Sequence, residues 1–207
     1  MSRSVNARRL RLGTTLALLS MLATGCASTR VSRIDPTAVT DLSGRWNDTD
    51  SRLVARQLID QSLGDGFSKR YMDTHGGEAP TILVGAFANR TLEHIAVGTF
   101  VKDVENALVG SGAARVVASR AERGEVRDER ADQQQHARAD TRAKIGQELG
   151  ARYLLAGELQ SIEDVEGRER IVFYQVDASL IDLETNTKVW VGQKKIKKYI
   201  ERARFTL

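Results

Sequence analysis

Apolar residues recur along this chain at two spacings, one helical and one alternating. Val54, Ala55, Leu58 and Ile59 share one face of a helix that the pattern places from Thr49 or Asp50 to about Leu63. Asp48, Thr49, Asp50 and Ser51 are candidate caps suited to the positive end of a helix dipole, and Gly64-Asp65-Gly66 ends the element. Residues 64–79 read as a loop closed by His75-Gly76-Gly77. Pro80 opens a strand from Thr81 to Phe87, and the unbroken run Ile82-Leu83-Val84 predicts a strand covered on both faces. After a turn at Asn89-Arg90-Thr91, a second helix is expected from about Leu92 to Val109. Val97, Val101, Val104 and Leu108 lie on one side of it, with Lys102, Asp103, Glu105 and Asn106 opposite. Gly110-Ser111-Gly112 stops it, and Val116-Val117 form a short strand.

The pattern then changes. Residues 119–140 are charged or Gln almost throughout, with Val126 the lone large apolar side chain. They read as an exposed helix, continuous or broken at Gly124, with a loop around His136. Thr141 to Leu149 form a further helix presenting Ile145 and Leu149, ended by Gly150. From Tyr153 onward the alternation has period two: Tyr153, Leu155 and Leu159; then Val172, Tyr174, Val176, Ala178 and Leu180; then a third run beginning near Lys188 with Val189, Trp190 and Val191. The connections, Glu163–Arg168 with Gly167 and Glu184-Thr185-Asn186, are short enough to dictate an antiparallel meander. The order helix, strand, helix, strand, two helices, three strands predicts an α/β (α+β) fold. It is a single mixed sheet of about five strands flanked by helices, ending in a three-stranded antiparallel meander.

The chain has 207 residues and a formal net charge of +4. Arg3, Arg8, Arg9 and Arg11 lie in the first twenty-five residues, where no acidic residue lies, so the remainder balances 27 basic against 27 acidic side chains. The basic excess belongs to the leader, and the charge gives no reason to expect a nucleic-acid partner. That leader is a basic start followed by the apolar run LRLGTTLALLSMLATG, too short for a membrane span and suited to a secretory signal. The next residue, Cys26, is the only Cys. Leu22-Ala23-Thr24-Gly25-Cys26-Ala27-Ser28 resembles a bacterial lipobox, although Ala23 stands where the usual pattern has Leu. The plainer alternative is an ordinary signal with an incidental Cys. Lipidated Cys26 would become the first residue of the mature chain, and several acyl chains give a stable anchor. Ser28, rather than Asp, at the second position after it resembles an outer-membrane address. The expected organisation is a cleaved signal over 1–25, a lipidated Cys and flexible tether over 26–41, a globular domain over 42–200 and a tail over 201–207. About 15 tether residues reach roughly 50 Å at full extension.

No motif of a known catalytic chemistry is present: there is no G-x-S-x-G, H-E-x-x-H, P-loop or C-x-x-C. His75, His94 and His136 lack ligand spacing and read as loop or surface residues. Neither a metal nor a cofactor is expected. The run Lys194-Lys195-Ile196-Lys197-Lys198 reads either as an edge strand kept from pairing by its charges or as a contact for an acidic partner or anionic glycan.

Five stretches resemble one family together: DLSGRWNDTDSRLVA (41–55), NRTLEHI (89–95), VVASRAERGEVRDER (116–130), GQELGARYLLAGEL (146–159) and IVFYQVDASLIDLETNTKVWVGQKKIKK (171–198). The chain is similar, from about Asp41 to Ile200, to the LpoB family of lipoprotein activators of penicillin-binding proteins. The resemblance implies a domain like the N-terminal domain of TolB, held at the outer membrane by a lipid anchor and facing the periplasm. It implies a partner, a class A penicillin-binding protein that makes peptidoglycan, which the monomeric activator stimulates while doing no chemistry itself. The best-known members carry a long, Pro-rich tether; here the tether is short, with one Pro. The alternatives are a structural or secretion-associated envelope lipoprotein of the CsgG-like type, and a hydrolase or binding protein for glycan fragments. For partner contact, the loop residues Asn89, Arg90 and His94 and the strand residues Lys194, Lys197, Lys198 and Tyr199 are the candidates. Trp46, just ahead of the first helix, reads as a residue that docks the end of the tether, with direct partner contact as the alternative.

Overall fold

A computed structural model describes residues 29–64, 66–143 and 148–201. The chain divides into two compact units, Met1–Ala38 and Val39–Leu207. The described part of the first unit contains a single turn, in which the Asp35 carboxylate accepts from the backbone N–H and the hydroxyl of Thr37, both at 2.7 Å. Cys26 and the leader lie outside the described residues.

In the second unit the elements run α1 (Asp48–Gly64), α2 (Phe67–Thr74), β1 (Thr81–Asn89), α3 (Val97–Ser111), β2 (Arg115–Val116), α4 (Arg120–His136), β3 (Tyr153–Glu166), β4 (Glu169–Asp182) and β5 (Lys188–Glu201). The five strands form one mixed sheet in the order β2-β1-β3-β4-β5. β1 is parallel to β2 and β3, and the meander β3-β4-β5 is antiparallel as expected. The buried apolar side chains of β4 are Val172, Tyr174, Val176, Ala178 and Leu180, every second residue, and the series ends on the buried Asp182. They meet Val54, Leu58 and Ile59 of α1 and Phe100, Val104 and Leu108 of α3 in one core.

Local chemistry sets the element ends. α1 begins at Asp48 and its cap is Asn47, one residue ahead of the expected candidates. The Asn47 side-chain oxygen accepts from the Asp50 N–H (3.1 Å), and the Asp50 carboxylate accepts from the Asn47 N–H (3.0 Å), a reciprocal capping box. α2 lies inside the stretch expected to be loop. It is eight residues long, too short for its period to stand out, and is held by tertiary packing: Phe67 and Tyr71 meet Tyr153 edge-on, at centroid distances of 5.1 and 5.8 Å. α3 starts five residues later than expected because polar side chains give the backbone another set of partners. The Asn89 amide donates to the Glu93 carbonyl (2.8 Å), and the Glu93 N–H donates to the Thr91 hydroxyl (3.1 Å).

Two further expectations change. α4 is continuous through Gly124, anchored by a capping box between Ser119 and Glu122, and none of its residues is buried. The helix expected over Thr141–Leu149 falls partly on residues 144–147, outside the described residues; the flanking Arg142, Ala143 and Glu148–Gly150 are not helical. Nor is β1 covered on both faces: Ile82 and Val84 are buried, but Leu83 between them is half-buried. The same holds across the sheet. One face packs on α1 and α3, and the side chains of the other face are half-buried or exposed on every strand. This open face positions the surface described next.

Candidate functional site

Strand alternation divides the lysine run between two environments. In β5, Trp190, Gly192, Lys194, Ile196, Lys198 and Ile200 share the helix-facing side, because they lie opposite the buried positions of β4. Val191, Gln193, Lys195, Lys197 and Tyr199 point to the open face, and all are exposed. Lys194, Lys197 and Lys198 therefore do not form one cationic face. Lys194 is half-buried on the inner side, Lys197 lies on the outer side, and the Lys198 side chain is largely withdrawn from the surface.

Lys198 is the centre of a clasp that fastens the start of the folded unit to the sheet. Its side chain is 10% exposed, and its ammonium donates to the Asp50 carboxylate (2.7 Å), the Asp41 carboxylate (2.6 Å) and the Arg45 carbonyl (3.1 Å). Burial pushes this ammonium down, but the two carboxylates outweigh it and leave its pKa raised. Hydrogen bonding to Lys198 holds the Asp41 carboxyl below its ordinary range. The Asn47 amide ties in the same segment, donating to the Thr40 carbonyl (3.2 Å) and to Asp41 (2.7 Å). Thr40 and Asp41, counted with the tether on the sequence, thus take part in the fold. Gly44 has the left-handed φ of 70° and lies so close to Ile200 that a Cβ would overlap its side chain.

Trp46 completes the clasp. Its indole packs edge-on against Tyr174 (5.6 Å) and Phe100 (6.3 Å), and its Nε1–H donates to the Ser51 hydroxyl (2.9 Å). Its backbone N–H donates to one oxygen of Glu93 (3.1 Å), whose other oxygen accepts from the Tyr174 hydroxyl (2.7 Å). Tyr174 is fully buried, and its phenol is pushed well up, first by burial and then by Glu93. Trp46 is therefore a docking residue, as its position before α1 predicted. The sequence marked Asp50 only as a candidate cap and Tyr174 only as a strand residue, and it assigned no role to Glu93 or Asp41. A hydroxyl among the alternating apolar positions of β4 was the available sign that a polar partner must reach the core.

The loop candidates also separate by role. Asn89 is internal to the turn, holding Glu93 and Thr91 in place. Arg90 and His94 are exposed; Arg90 approaches Glu158 at 3.9 Å.

On the open face the strand register lines side chains into rows. Lys197 lies beside Phe173 and Ile162, Tyr199 beside Ile171 and Asp164, and Lys195 beside Gln175 and Gln160. Ile162 and Tyr199 are 68% and 58% exposed. The Tyr199 hydroxyl donates to Glu169 (3.0 Å). Asp177 is occupied by the Gln175 and Gln193 amides. Neither Lys195 nor Lys197 has an ion pair among the described residues. The surface combines apolar and aromatic area with two uncompensated cations, a composition suited to binding. Among the described residues, no group of three His, Cys, Asp or Glu side chains could hold a metal ion.

The family model for the peptidoglycan-synthase activator LpoB matches residues 50–196, from the first turn of α1 into the lysine run of β5. Among solved structures, the chain is similar to the LpoB C-terminal domain from Escherichia coli, at 17% identity and a TM-score of 0.41 over 72% of this chain and 99% of that one. It is similar to the LpoB C-terminal domain from Salmonella enterica at 17% identity and a TM-score of 0.37, over 72% and 99%. Lipoprotein GNA1162 from Neisseria meningitidis gives 16% identity and a TM-score of 0.37, over 61% and 88%. No curated protein matches the chain. By the span of its family match, the chain belongs to the peptidoglycan-synthase activator LpoB family.

Proposed function

We propose that this protein is an outer-membrane lipoprotein, acylated at Cys26 and facing the periplasm, that binds and activates a class A penicillin-binding protein without catalysing a reaction itself. The family match over residues 50–196 carries this reading. The open face of the sheet supports it: Lys197 and Tyr199, joined by Lys195, are exposed beside apolar neighbours on a rigid strand. Arg90 and His94 form a second exposed patch. Lys198 and Asn89 contribute indirectly, by holding the clasp and the turn, and Lys194 lines the inner side of β5. The partner is bound by a monomer.

The test is reconstitution. The detergent-solubilised chain is expected to raise the glycan-polymerisation rate of a class A synthase from the same cell. Absence of both binding and stimulation with every such synthase would remove the proposal. Metabolic labelling with a palmitate analogue checks the anchor: a Cys26→Ser protein is expected to lose the label and to leave the outer-membrane fraction.

A further inference from the structure

The outer edge of β5 is protected along part of its length and open along the rest. At Gln193 the edge is closed by a side chain from α1: the Gln61 amide donates to the Gln193 carbonyl (3.1 Å) and accepts from the Gln193 N–H (3.3 Å). One amide thus takes the place of a neighbouring strand. Because backbone groups alternate in direction along a strand, the N–H and C=O groups of Lys195, Lys197 and Tyr199 point the same way as those of Gln193, away from β4. No ladder irregularity interrupts the pairing with β4 over this stretch. Among the described residues these groups have no backbone partner. At the Lys197–Tyr199 end of this edge lies a cleft of about 460 Å³, lined by Asp41–Gly44 and Lys197–Glu201.

We infer that this open edge, Lys195 to Tyr199, accepts an extended acidic segment of the partner as a sixth strand of the sheet. Backbone hydrogen bonds to Lys195, Lys197 and Tyr199 supply the pairing. The Lys195 and Lys197 ammonium groups, which have no ion pair among the described residues, select acidic side chains on the open face. The same charges argue against a second copy of β5: antiparallel self-pairing centred on Lys197 sets lysine against lysine. The lysines therefore repel copies of this chain while attracting a strand of opposite charge. The inference deepens the synthase reading and rests on it for the identity of the partner alone.

Two measurements test it. The first is residue-level hydrogen exchange of the full chain in detergent, with a blocked peptide of about eight residues alternating Thr and Glu, long enough to pair along the open stretch. Millimolar peptide is expected to slow the amides of Lys195, Lys197 and Tyr199 and to leave those of Lys194, Ile196 and Lys198 unchanged. A Lys-for-Glu peptide, or one N-methylated at every residue, is expected to slow none of these amides. No slowing, or slowing that survives N-methylation, overturns the inference. So does slowing that appears without peptide and grows with protein concentration, which would identify a second copy as the occupant.

The second measurement compares affinities for the synthase. Lys197→Pro removes an outward N–H without touching the ladder to β4 and is expected to weaken binding about tenfold. Lys197→Ala removes the charge alone and is expected to weaken it about two- to threefold. Equal losses would mean that side chains and not the backbone make the contact. If the peptide pairs with the edge but the unmodified chain binds no synthase, the synthase reading falls and the edge stands.

Discussion

At the scale of single residues, a buried ion pair fastens the start of the folded unit to the sheet. Lys198 and Asp50 are both largely withdrawn from solvent and pair with each other, while Asp41 and the Arg45 carbonyl complete the partners of the ammonium. Replacing Lys198 with Met strands the Asp50 carboxylate, and we expect a loss of about 3 kcal/mol in urea unfolding. Tyr174→Phe leaves one oxygen of Glu93 without its donor and should cost about 1–2 kcal/mol. The pH dependence follows from the two shifts. Asp41 titrates below its ordinary 3.8, so its contribution is present above that value and is lost as pH falls through the depressed one. Lys198 titrates above its ordinary 10.5, so its contribution is complete below that value and is lost as pH rises through the raised one. The stability difference between wild type and Lys198→Met is therefore expected to shrink as pH falls into the acid range and as it rises through the raised lysine value. Urea midpoints measured across pH check this.

At the scale of elements, what fixes each one differs, and so does the effect of a substitution. α4 buries nothing and depends on its cap. Ser119→Ala should cost that helix about 1 kcal/mol, speeding amide exchange over residues 120–136 while barely moving the global unfolding midpoint. β3 is fixed by close approach: a Cβ on Gly157 would fall 2.2 Å from the Asp177 carbonyl oxygen and 2.5 Å from the Phe87 ring. Gly157→Ala is expected to cost about 2 kcal/mol, read from thermal or urea unfolding. The same difference explains which elements were legible in the sequence. The alternation through Val172–Leu180 and the short Gly- and Asn-containing connections specify the meander on their own. α2 rests on two aromatic rings, Phe67 and Tyr71, meeting Tyr153 from a distant part of the chain, and no local pattern records that. The late start of α3 turns on side-chain bonds within Asn89–Glu93 that the apolar period does not see. In β5 the split of the lysines was legible, since Trp190, Ile196 and Ile200 share parity with Lys194 and Lys198. The acids that receive Lys198 were not, because Asp41 and Asp50 lie far upstream.

At the scale of the molecule, the folded unit begins at Val39 and its first ten residues are structural. A chain starting at Val39 should unfold at the same urea concentration as one starting at Ala27. A chain starting at Asn47 loses Asp41, the Arg45 carbonyl and the Trp46 indole, and should be less stable by about 3 kcal/mol or more. This arrangement has a mechanical consequence. A tug on the residues upstream of Val39 meets Asp41 on Lys198, and then Trp46 against Phe100 and Tyr174, before it reaches the first turn of α1. The load passes into the sheet instead of unravelling a helix from its tip. Part of it would enter through Lys198 of β5, the strand whose other side faces outward, so a pull on the upstream residues and an occupied edge would bear on the same fourteen residues.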